Sequence, residues 1–386
     1  MPLDNTVVEE AKRQLTVCNA CRYCEGYCAV FRALVRRSVV DDKDIPFLAD
    51  LCHDCRGCYQ ACMFTPPHKF AVNVPLTLSE ARLETYAAYA WPQRLGAWFR
   101  RSTVVSAVAG VVGLLAMLAV ALLSGGPARL MRADTAGGSF YQIIPFAAMV
   151  VPALALSIWA LLVLILGSIA YVRGTGARFS LALSAASWEA LGDAITLRWL
   201  NGAGDGCYYP DEERTSGMRR VLHSLVLWGF VSAFVATVAA SIEQDLLGIQ
   251  PPFDVLSIPV VLGTTGGVAM VVGTTGLLVQ KARSPRDLLA GDMRTMDVAF
   301  IVAIDVVSIT GLLLLALRGT PLLSAMLVLH LAPLTTLYVT APYGKLTHAV
   351  YRILALLQDH VEAYALEGPA PRATDTVIDV ARKAPA

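Results

Sequence analysis

Apolar residues along this chain gather into six long runs that polar segments separate. Each run is close to or above the roughly 20 helical residues needed to cross the hydrocarbon core of a bilayer. We predict six membrane-spanning helices, at Val104–Leu123, Ile143–Tyr171, Leu222–Ala240, Val255–Val279, Val298–Leu317 and Leu322–Thr340. A soluble core is not expected to supply six such runs with almost no charged residues. The pattern therefore predicts a helical bundle in a membrane.

The same pattern divides the chain into parts of different character. Residues 1–80 are more polar and are predicted to form a small helical domain, and residues 81–101 look like a connector at the membrane interface. Residues 102–362 are predicted to form the six-helix bundle, which a cytoplasmic loop at 172–218 interrupts. Residues 363–386 are rich in proline and alanine, which predicts a flexible C-terminal tail. The predicted fold class is all-α.

The 172–218 loop contains a segment with helical periodicity. Its apolar residues recur at intervals of three and four, while Glu189, Asp193 and Arg198 lie off that stripe. The stripe consists of Ala185, Trp188, Leu191, Ile195 and Trp199. We interpret the segment as an amphipathic helix that lies either on the membrane or under the N-terminal domain. Plain packing and docking of a partner are both open as its role.

Composition and charge set the orientation of the bundle. Hydrophobic residues make up 56% of the chain and charged residues 16%, against about 45–50% and about 25% in soluble domains. Of the 31 lysines and arginines, 28 lie before the first span, in the loops 172–221 and 280–297, or after the last span. Because cytoplasmic flanks are enriched in basic residues, both termini are predicted on the cytoplasmic side of a bacterial cytoplasmic membrane. Trp91, Trp98 and Arg100–Arg101 suit the interface before the first span.

Eight of the nine cysteines form two runs with the same spacing, C-x2-C-x2-C-x3-C, in the polar N-terminal part. The runs are Cys18, Cys21, Cys24, Cys28 and Cys52, Cys55, Cys58, Cys62. This spacing is typical of bacterial two-cluster ferredoxins, in which the fourth cysteine of each run ligates the other [4Fe–4S] cluster. Cluster one would then be held by Cys18, Cys21, Cys24 and Cys62, and cluster two by Cys52, Cys55, Cys58 and Cys28. The runs predict an electron-transfer protein with two [4Fe–4S] clusters.

Other uses of these cysteines fit the sequence less well. A disulfide framework needs an oxidising compartment, and the polar, acidic start of the chain has no apolar signal segment before Cys18. Zinc ribbons would use paired C-x2-C units instead of two closely spaced runs of four. One departure from the ferredoxin pattern is that Ala29 and Met63 replace the proline that usually follows the fourth cysteine. Cys207 stands apart and is expected to be a structural or site residue and not a ligand.

Three histidines, His223, His330 and His348, lie in or beside predicted spans. A lone histidine on an apolar helix is more often a packed residue, but polar groups in a membrane are costly and usually functional. Beside iron–sulfur clusters, two imidazoles from different helices predict a b-type haem. His223 begins the third span and His348 follows the sixth, both on the predicted cytoplasmic side, so we predict that these two form the pair. His330 lies 18 residues from His348, about 27 Å along a continuous helix, and is a third candidate.

Two further features of the spans carry expectations. Asp305 lies inside the fifth span, where it is expected either to serve a proton path to a quinone or to be hydrogen-bonded to Ser308. The stretch Gly263–Gly276 repeats GTT-G within the fourth span. Small residues in a membrane helix allow close approach of another helix or a haem. The net charge of +1 gives no indication of a nucleic-acid partner.

Several segments together carry a family resemblance that runs from Cys18 to about Glu362. They are CRYC, CHDCRGCYQACMFTPPHKFAVNVP, GDGCYYPDEERTSGMRRVLH, VLGTTGGVAMVVGTTGLLVQK, MDVAF, SITGLLLLALR, LHLAPL and APYGKLTHAVYR. The chain resembles the tricarballylate utilisation protein B family, which is also named citrate utilisation protein B. That family is related to the C-terminal half of some cobalamin-pathway redox fusions.

The resemblance implies a membrane-bound iron–sulfur and b-haem protein. Such a protein re-oxidises the flavin of a FAD-dependent tricarballylate dehydrogenase and passes the electrons to the quinone pool. It also implies the eight cysteines as cluster ligands and His223, His330 and His348 as haem-ligand candidates. Ile242 or Glu243 stands where the family carries a further histidine, so one haem is expected and a second is in doubt. The alternatives are the same module serving another dehydrogenase (organic-acid, cobalamin-pathway or heterodisulfide-type), or a non-catalytic redox sensor or membrane anchor.

Overall fold

The computed structural model describes residues 3–99, 102–125, 139–177, 185–202, 204, 206–209 and 214–367. Within these ranges the chain is helical and contains no β-strand, only isolated bridges between Gly202 and Gly206 and between Cys207 and Ser216. The prediction of an all-α fold is confirmed. Arg100, Arg101 and residues 368–386, which include most of the predicted tail, lie outside the described residues.

Six helices precede the first membrane span. They are α1 (Asn5–Cys21), α2 (Ala29–Leu34), α3 (Asp44–Leu51), α4 (Gly57–Gln60), α5 (Val74–Tyr89) and α6 (Gln93–Trp98). The side chain of Asp4 caps the start of α1 by accepting from the Thr6 amide, and Asn73 caps α5 in the same way through the Leu76 amide. Buried apolar side chains on α1, α2, α3 and α5 form one core, which the cysteine loops flank.

The six predicted spans are confirmed in number, because six helices of the described residues are long and apolar enough to cross a membrane. Several of these helices extend beyond the predicted ends, but the second begins at Phe146 and the fourth at Ile258, after the predicted Ile143 and Val255. The helices that carry these spans are α7 (Ser102–Gly125), α9 (Phe146–Thr175), α11 (Met218–Asp245), α12 (Ile258–Arg283), α13 (Gly291–Ala316) and α14 (Leu323–Thr340). A short helix, α8 (Ser139–Ile143), precedes α9. The predicted interfacial Trp91 and Trp98 are both exposed, before the first span.

Close packing of α11 on α12 explains the repeated glycines of the fourth span. A Cβ atom built on Gly266 would lie 2.7 Å from the carbonyl oxygen of Gly229, and one on Gly273 would lie 2.7 Å from that of Leu222. The backbones therefore touch, which any larger residue would prevent. The expectation of close helix approach along this stretch is confirmed.

The remaining helices, α10 (Ala185–Ile195) and α15 (Thr347–Glu367), lie against each other. The Tyr364 hydroxyl of α15 donates to Glu189 at 2.5 Å, and His360 lies 3.1 Å from Asp193. On α10 the buried face contains Ala186, Ala190 and Asp193, whereas Trp188, Leu191 and Ile195 of the predicted stripe are exposed. The polar Asp193 is therefore inside because α15 supplies it with partners, and most of the stripe is left outside.

Helix α15 joins the N-terminal domain to the bundle. Ala355 and Leu356 belong to the same buried core as α1, α2, α3 and α5. Beyond them, the fully buried Asp359 accepts hydrogen bonds from Arg32 and Arg36 of the α2 segment. Helix α15 continues to Glu367, beyond residue 362, where the predicted bundle ends and the predicted tail begins, and it packs on α2 and α3.

Candidate electron-transfer site

The first cysteine run surrounds a cavity near the surface of the N-terminal domain. Its cysteines are Cys18, Cys21 and Cys24 from the first run with Cys58 and Cys62 from the second, and apolar side chains complete the wall. The run forms where α1 ends, because Arg22 adopts a left-handed conformation with φ of 57° and stops the helix. Cys21 is exposed, and so are the neighbouring side chains of Tyr23 and Met63.

The second cysteine run lines another cavity, deeper in the molecule. Its cysteines are Cys52, Cys55 and Cys58 together with Cys28, the fourth cysteine of the first run. Cys62 lies in the first cavity and Cys28 in the second, which is the crossed arrangement expected for two cubane clusters. Cys58 lies at the boundary of both cavities.

The chemistry of the thiols fits cluster binding. All nine cysteines are free, and burial raises the pKa of the Cys18 thiol to about 12 and also raises the pKa of Cys28. Iron must displace these protons, so cluster binding and the structure of the loops are linked. Within the described ranges, no three histidine, cysteine or acidic side chains gather around a single metal ion. A cubane needs four thiolates at separate irons, and the cavities offer four or more cysteines each.

Arginines from three helices hold the second cysteine loop. Arg82 of α5 and Arg352 of α15 both donate to the Cys52 carbonyl, at 2.6 and 2.8 Å. Arg219, in the first turn of α11, donates to the Asp54 carbonyl at 2.7 Å. These contacts attach the loop directly to α11 and α15, the helices that carry His223 and His348.

His223 and His348 face each other at the cytoplasmic end predicted for the bundle. Their ring centroids lie 6.2 Å apart with the planes at 73°. The Nδ1 atom of His348 is hydrogen-bonded to the Lys345 carbonyl, which leaves its Nε2 atom available as a ligand. The Nδ1 atom of His223 is buried and has no hydrogen-bond partner among the described residues. The structure therefore brings together the two histidines that the sequence analysis paired.

This spacing would allow both histidines to bind one metal ion, such as the iron of a haem. A metal–nitrogen bond of about 2 Å for each ring, plus the half-width of each ring, would place the two centroids about 6 Å apart. The hydrogen bond from His348 to a backbone carbonyl is the outer-shell contact that orients a metal-binding imidazole. The pair is thus suited to a b-type haem.

Comparison with known proteins places this arrangement in a family. The family described as citrate utilization protein B matches residues 99–369, and its Fer4-like domain matches residues 11–88. Citrate utilization protein B of Escherichia coli is 40% identical over 359 residues, which cover 92% of each chain. The chain belongs to the citrate utilization protein B family. No solved structure matches the chain.

The family assignment confirms the resemblance found in the sequence. The Fer4-like domain coincides with helices α1–α5 and both cysteine runs, which indicates an iron–sulfur electron-transfer role. The larger match covers all six apolar helices and α15, so the protein is a membrane protein with an iron–sulfur domain. The relative's name assigns citrate utilization to that relative.

His330 does not join the histidine pair. Its Nδ1 atom lies 3.1 Å from the Thr310 hydroxyl on α13, and its ring packs against Gly311. Helix α14 ends at Thr340 and α15 begins at Thr347, so His330 and His348 lie on separate helices. This contact is that of a hydrogen-bonded packing residue. A second haem with His330 as a ligand stays a prediction.

Asp305 has a different neighbour from the one proposed. The Thr274 hydroxyl of α12 donates to Asp305 at 2.6 Å, whereas the Ser308 hydroxyl donates to its own helix at Ile304. Because the Ser308 hydroxyl bonds to a carbonyl of its own helix, the hydrogen bond to the Asp305 carboxylate comes from the neighbouring helix, α12.

Sequence analysis also missed the contacts around Cys207. This buried cysteine donates to the Leu200 carbonyl at 2.8 Å, and the next residue, Tyr208, donates its amide to the Cys55 carbonyl at 2.9 Å. The ring of Tyr209 lies between the guanidinium groups of Arg56 and Arg219, each 4.7 Å from the ring centroid. Residues 207–209 therefore cover the second cysteine loop, a role that no local sequence pattern indicates.

Proposed function

We propose that this chain carries electrons from a FAD-dependent dehydrogenase, of the tricarballylate dehydrogenase type, to quinone in the bacterial cytoplasmic membrane. The observation that carries the proposal is a continuous series of contacts from the exposed first cavity to the histidine pair. The two cavities share Cys58. The second loop is then hydrogen-bonded to Arg219 and Arg352, each four residues from one of the two histidines.

Each group of candidate ligands has a separate role in the proposed electron path. Two groups of four cysteines, crossed between the runs, would hold two [4Fe–4S] clusters, and His223 and His348 would hold one b-type haem. When bound, these groups carry one electron each, which divides the pair of electrons that a reduced flavin releases. The exposed rim of the first cavity would receive the electrons, because Cys21 is exposed whereas the other cysteines of the two runs are partly or fully buried. The protein fixes the separations through the arginine contacts and shields the second loop from water.

Orientation and location follow from the charge distribution. The basic residues lie on the side of the bundle that carries the N-terminal domain, α10 and α15, so this side is proposed to face the cytoplasm. Thiols and clusters are then in a reducing compartment. The exposed Trp188, Leu191 and Ile195 of α10 are proposed to rest on the same membrane surface.

Cofactor content tests the proposal. Protein purified anaerobically in detergent is expected to hold eight irons, as two cubanes, and about one b-type haem, because one histidine pair is present. His223→Ala and His348→Ala should each lose the haem and keep the eight irons. His330→Ala is the matched control and should keep both. Haem that persists in both members of the pair, or is lost only with His330, would contradict the ligand assignment.

Reconstitution tests the partner. Vesicles that contain the protein and a quinone are supplied with a FAD-dependent dehydrogenase and tricarballylate, whose two-electron dehydrogenation reduces the flavin. We expect quinone reduction that depends on the dehydrogenase and fails in His348→Ala. Quinone reduction by a chemical reductant, without any from a reduced flavoprotein, would remove the dehydrogenase from the proposal and leave the electron path.

A further inference from the structure

The two cysteine runs share a short motif whose arginine is exposed in one run and buried in the other. Each run contains C-R-x-C, so that Arg22 follows Cys21 and Arg56 follows Cys55. Both arginines adopt the left-handed conformation, with φ of 57° and 65°. Arg22 is exposed and its Nε donates to the Asn19 carbonyl at 3.3 Å. Arg56, at the equivalent position, has a fully buried side chain.

The guanidinium group of Arg56 lies at the second cavity without hydrogen bonds. Arg56 is one of the residues that line this cavity. None of its three guanidinium nitrogens has a hydrogen-bond partner among the described residues, although Asp54 lies 3.7 Å from Nε. A buried cation with unused donors is costly unless something accepts them. The sulfurs of an iron–sulfur cluster in this cavity are such acceptors.

Further positive charge surrounds the same loop. Arg82 and Arg352 donate to the Cys52 carbonyl, and Arg219 donates to the Asp54 carbonyl. Asp54 and the buried Asp50 offset part of this charge, and Lys345 adds a further positive charge near Asp50. The first cavity differs, because the side chains that line it include no lysine, arginine, aspartate or glutamate.

We propose that the buried Arg56, with Arg82, Arg219 and Arg352 behind it, makes the cluster of the second loop the one with the higher reduction potential. The inference rests on the proposed function, because it requires both clusters. Reduction adds one negative charge to a cluster, and a cation in a buried site stabilises that charge more than a cation in water does. Hydrogen bonds to cluster sulfurs and exclusion of solvent set cluster potentials. Arg22 has the same chemistry, but water screens it.

The direction of electron flow follows from this difference. One electron leaves the cluster at the exposed first loop and reduces the cluster at the second loop, with no proton or further reactant required. The second loop is the one bonded to Arg219 and Arg352, so the favourable step leads toward His223 and His348. The difference between Arg22 and Arg56 therefore gives electron transfer through the N-terminal domain a preferred direction.

Reduction potentials measured by EPR at controlled potential test the inference in the full-length protein in detergent. The wild type is expected to show two midpoint potentials. Arg56→Gln should lower the higher midpoint potential by at least about 59 mV, which is a tenfold change in the equilibrium constant for one-electron reduction. The equilibrium constant for reduction of the other cluster should change by less than twofold. Arg56→Lys keeps the charge and should shift the higher midpoint less. Arg22→Gln, the matched control, should leave the higher midpoint within twofold.

Several results would overturn the inference. One is a higher midpoint that ignores Arg56→Gln, and another is an equal response to Arg22→Gln. If Arg56→Gln binds fewer than eight irons, Arg56→Met replaces the charge by an apolar side chain and is judged by the same shift. Coincident midpoints in a wild type that holds eight irons and reduces quinone would overturn the inference and leave the proposed function intact. A wild type without clusters would overturn both.

Discussion

Asp359→Ala should release the N-terminal domain from helix α15. The Asp359 carboxylate is fully buried and accepts hydrogen bonds from Arg32 and Arg36, whose side chains are 32% and 6% exposed. Removing the carboxylate leaves the buried Arg36 guanidinium with the backbone carbonyl of residue 359 at 3.2 Å and the Glu362 carboxylate at 3.9 Å as its remaining partners. Loss of one partner of a buried ion pair typically costs about 3–5 kcal/mol, because the remaining charge is no longer compensated.

The measurement is amide hydrogen exchange in α2 and in the second half of α15. A loss of 3–5 kcal/mol, at about 1.4 kcal/mol for each tenfold change, corresponds to exchange that is roughly two to four orders of magnitude faster. Asp359→Asn keeps the shape but loses the charge, so it should fall between the wild type and Asp359→Ala. Glu9→Gln removes the carboxylate of an exposed ion pair with Lys12 and serves as the control, without a detectable change expected.

A change below tenfold in both helices of Asp359→Ala would refute this reasoning. It would mean that water or a rearranged side chain compensates Arg36, and that the apolar contacts of Ala355 and Leu356 hold the domain without the ion pairs. Faster exchange across the whole protein would instead indicate global destabilisation, and α11 and α12 report on that alternative.

Three other predictions concern the membrane helices and the cysteine loops. Gly266→Leu should separate α11 from α12, because its Cβ meets the Gly229 carbonyl at 2.7 Å, and should lower the haem content of the purified protein. Cys62→Ser should alter the EPR signal of the cluster that also depends on the first loop, because Cys62 lines the first cavity. Removal of iron with a chelator should expose residues 18–62 to protease while α11 and α12 stay protected, because metal binding and loop structure are linked.

Each of these has its own control. Gly110→Leu adds the same side chain where nothing lies within 4 Å of a built Cβ, and haem loss there as large as in Gly266→Leu would contradict the packing argument. For Cys62→Ser, an altered signal that belongs to the second loop would contradict the crossed ligation. For the chelator, unchanged cleavage of the cysteine loops would show that they fold without iron.

Local patterns in the sequence predicted much of the fold. Six apolar runs became six helices, and the GTT-G repeat became a contact between backbones, because length and residue size act within one helix or one helix pair. The pairing of His223 with His348 followed from their shared depth at the ends of two spans. Such inferences need only residues that are close in the sequence, or residues whose positions along their spans place them at the same depth in the membrane.

Contacts between distant segments were not predictable in this way. The sequence around Arg32 and around Asp359 does not indicate that these residues, 327 positions apart, form an ion pair. Likewise, the arginines that bond to the second cysteine loop come from three separate helices. On α10, the apolar stripe indicated a face toward either the membrane or the N-terminal domain, and the partners of Asp193 on α15 determined which side of the helix is buried in the protein. Burial of a charge depends on its partners, and sequence periodicity does not record them.

The attachment of α15 to the N-terminal domain also constrains biogenesis. Arg32 and Arg36 are synthesised long before Asp359, and six membrane helices are inserted in between. The N-terminal domain is therefore synthesised with its α15 side uncovered, and this side stays uncovered until the bundle is in place. During that interval the deeper cysteine loop lacks the contacts of Arg219 and Arg352, so it is less enclosed than in the finished protein. Docking of α15 then completes the enclosure of that loop.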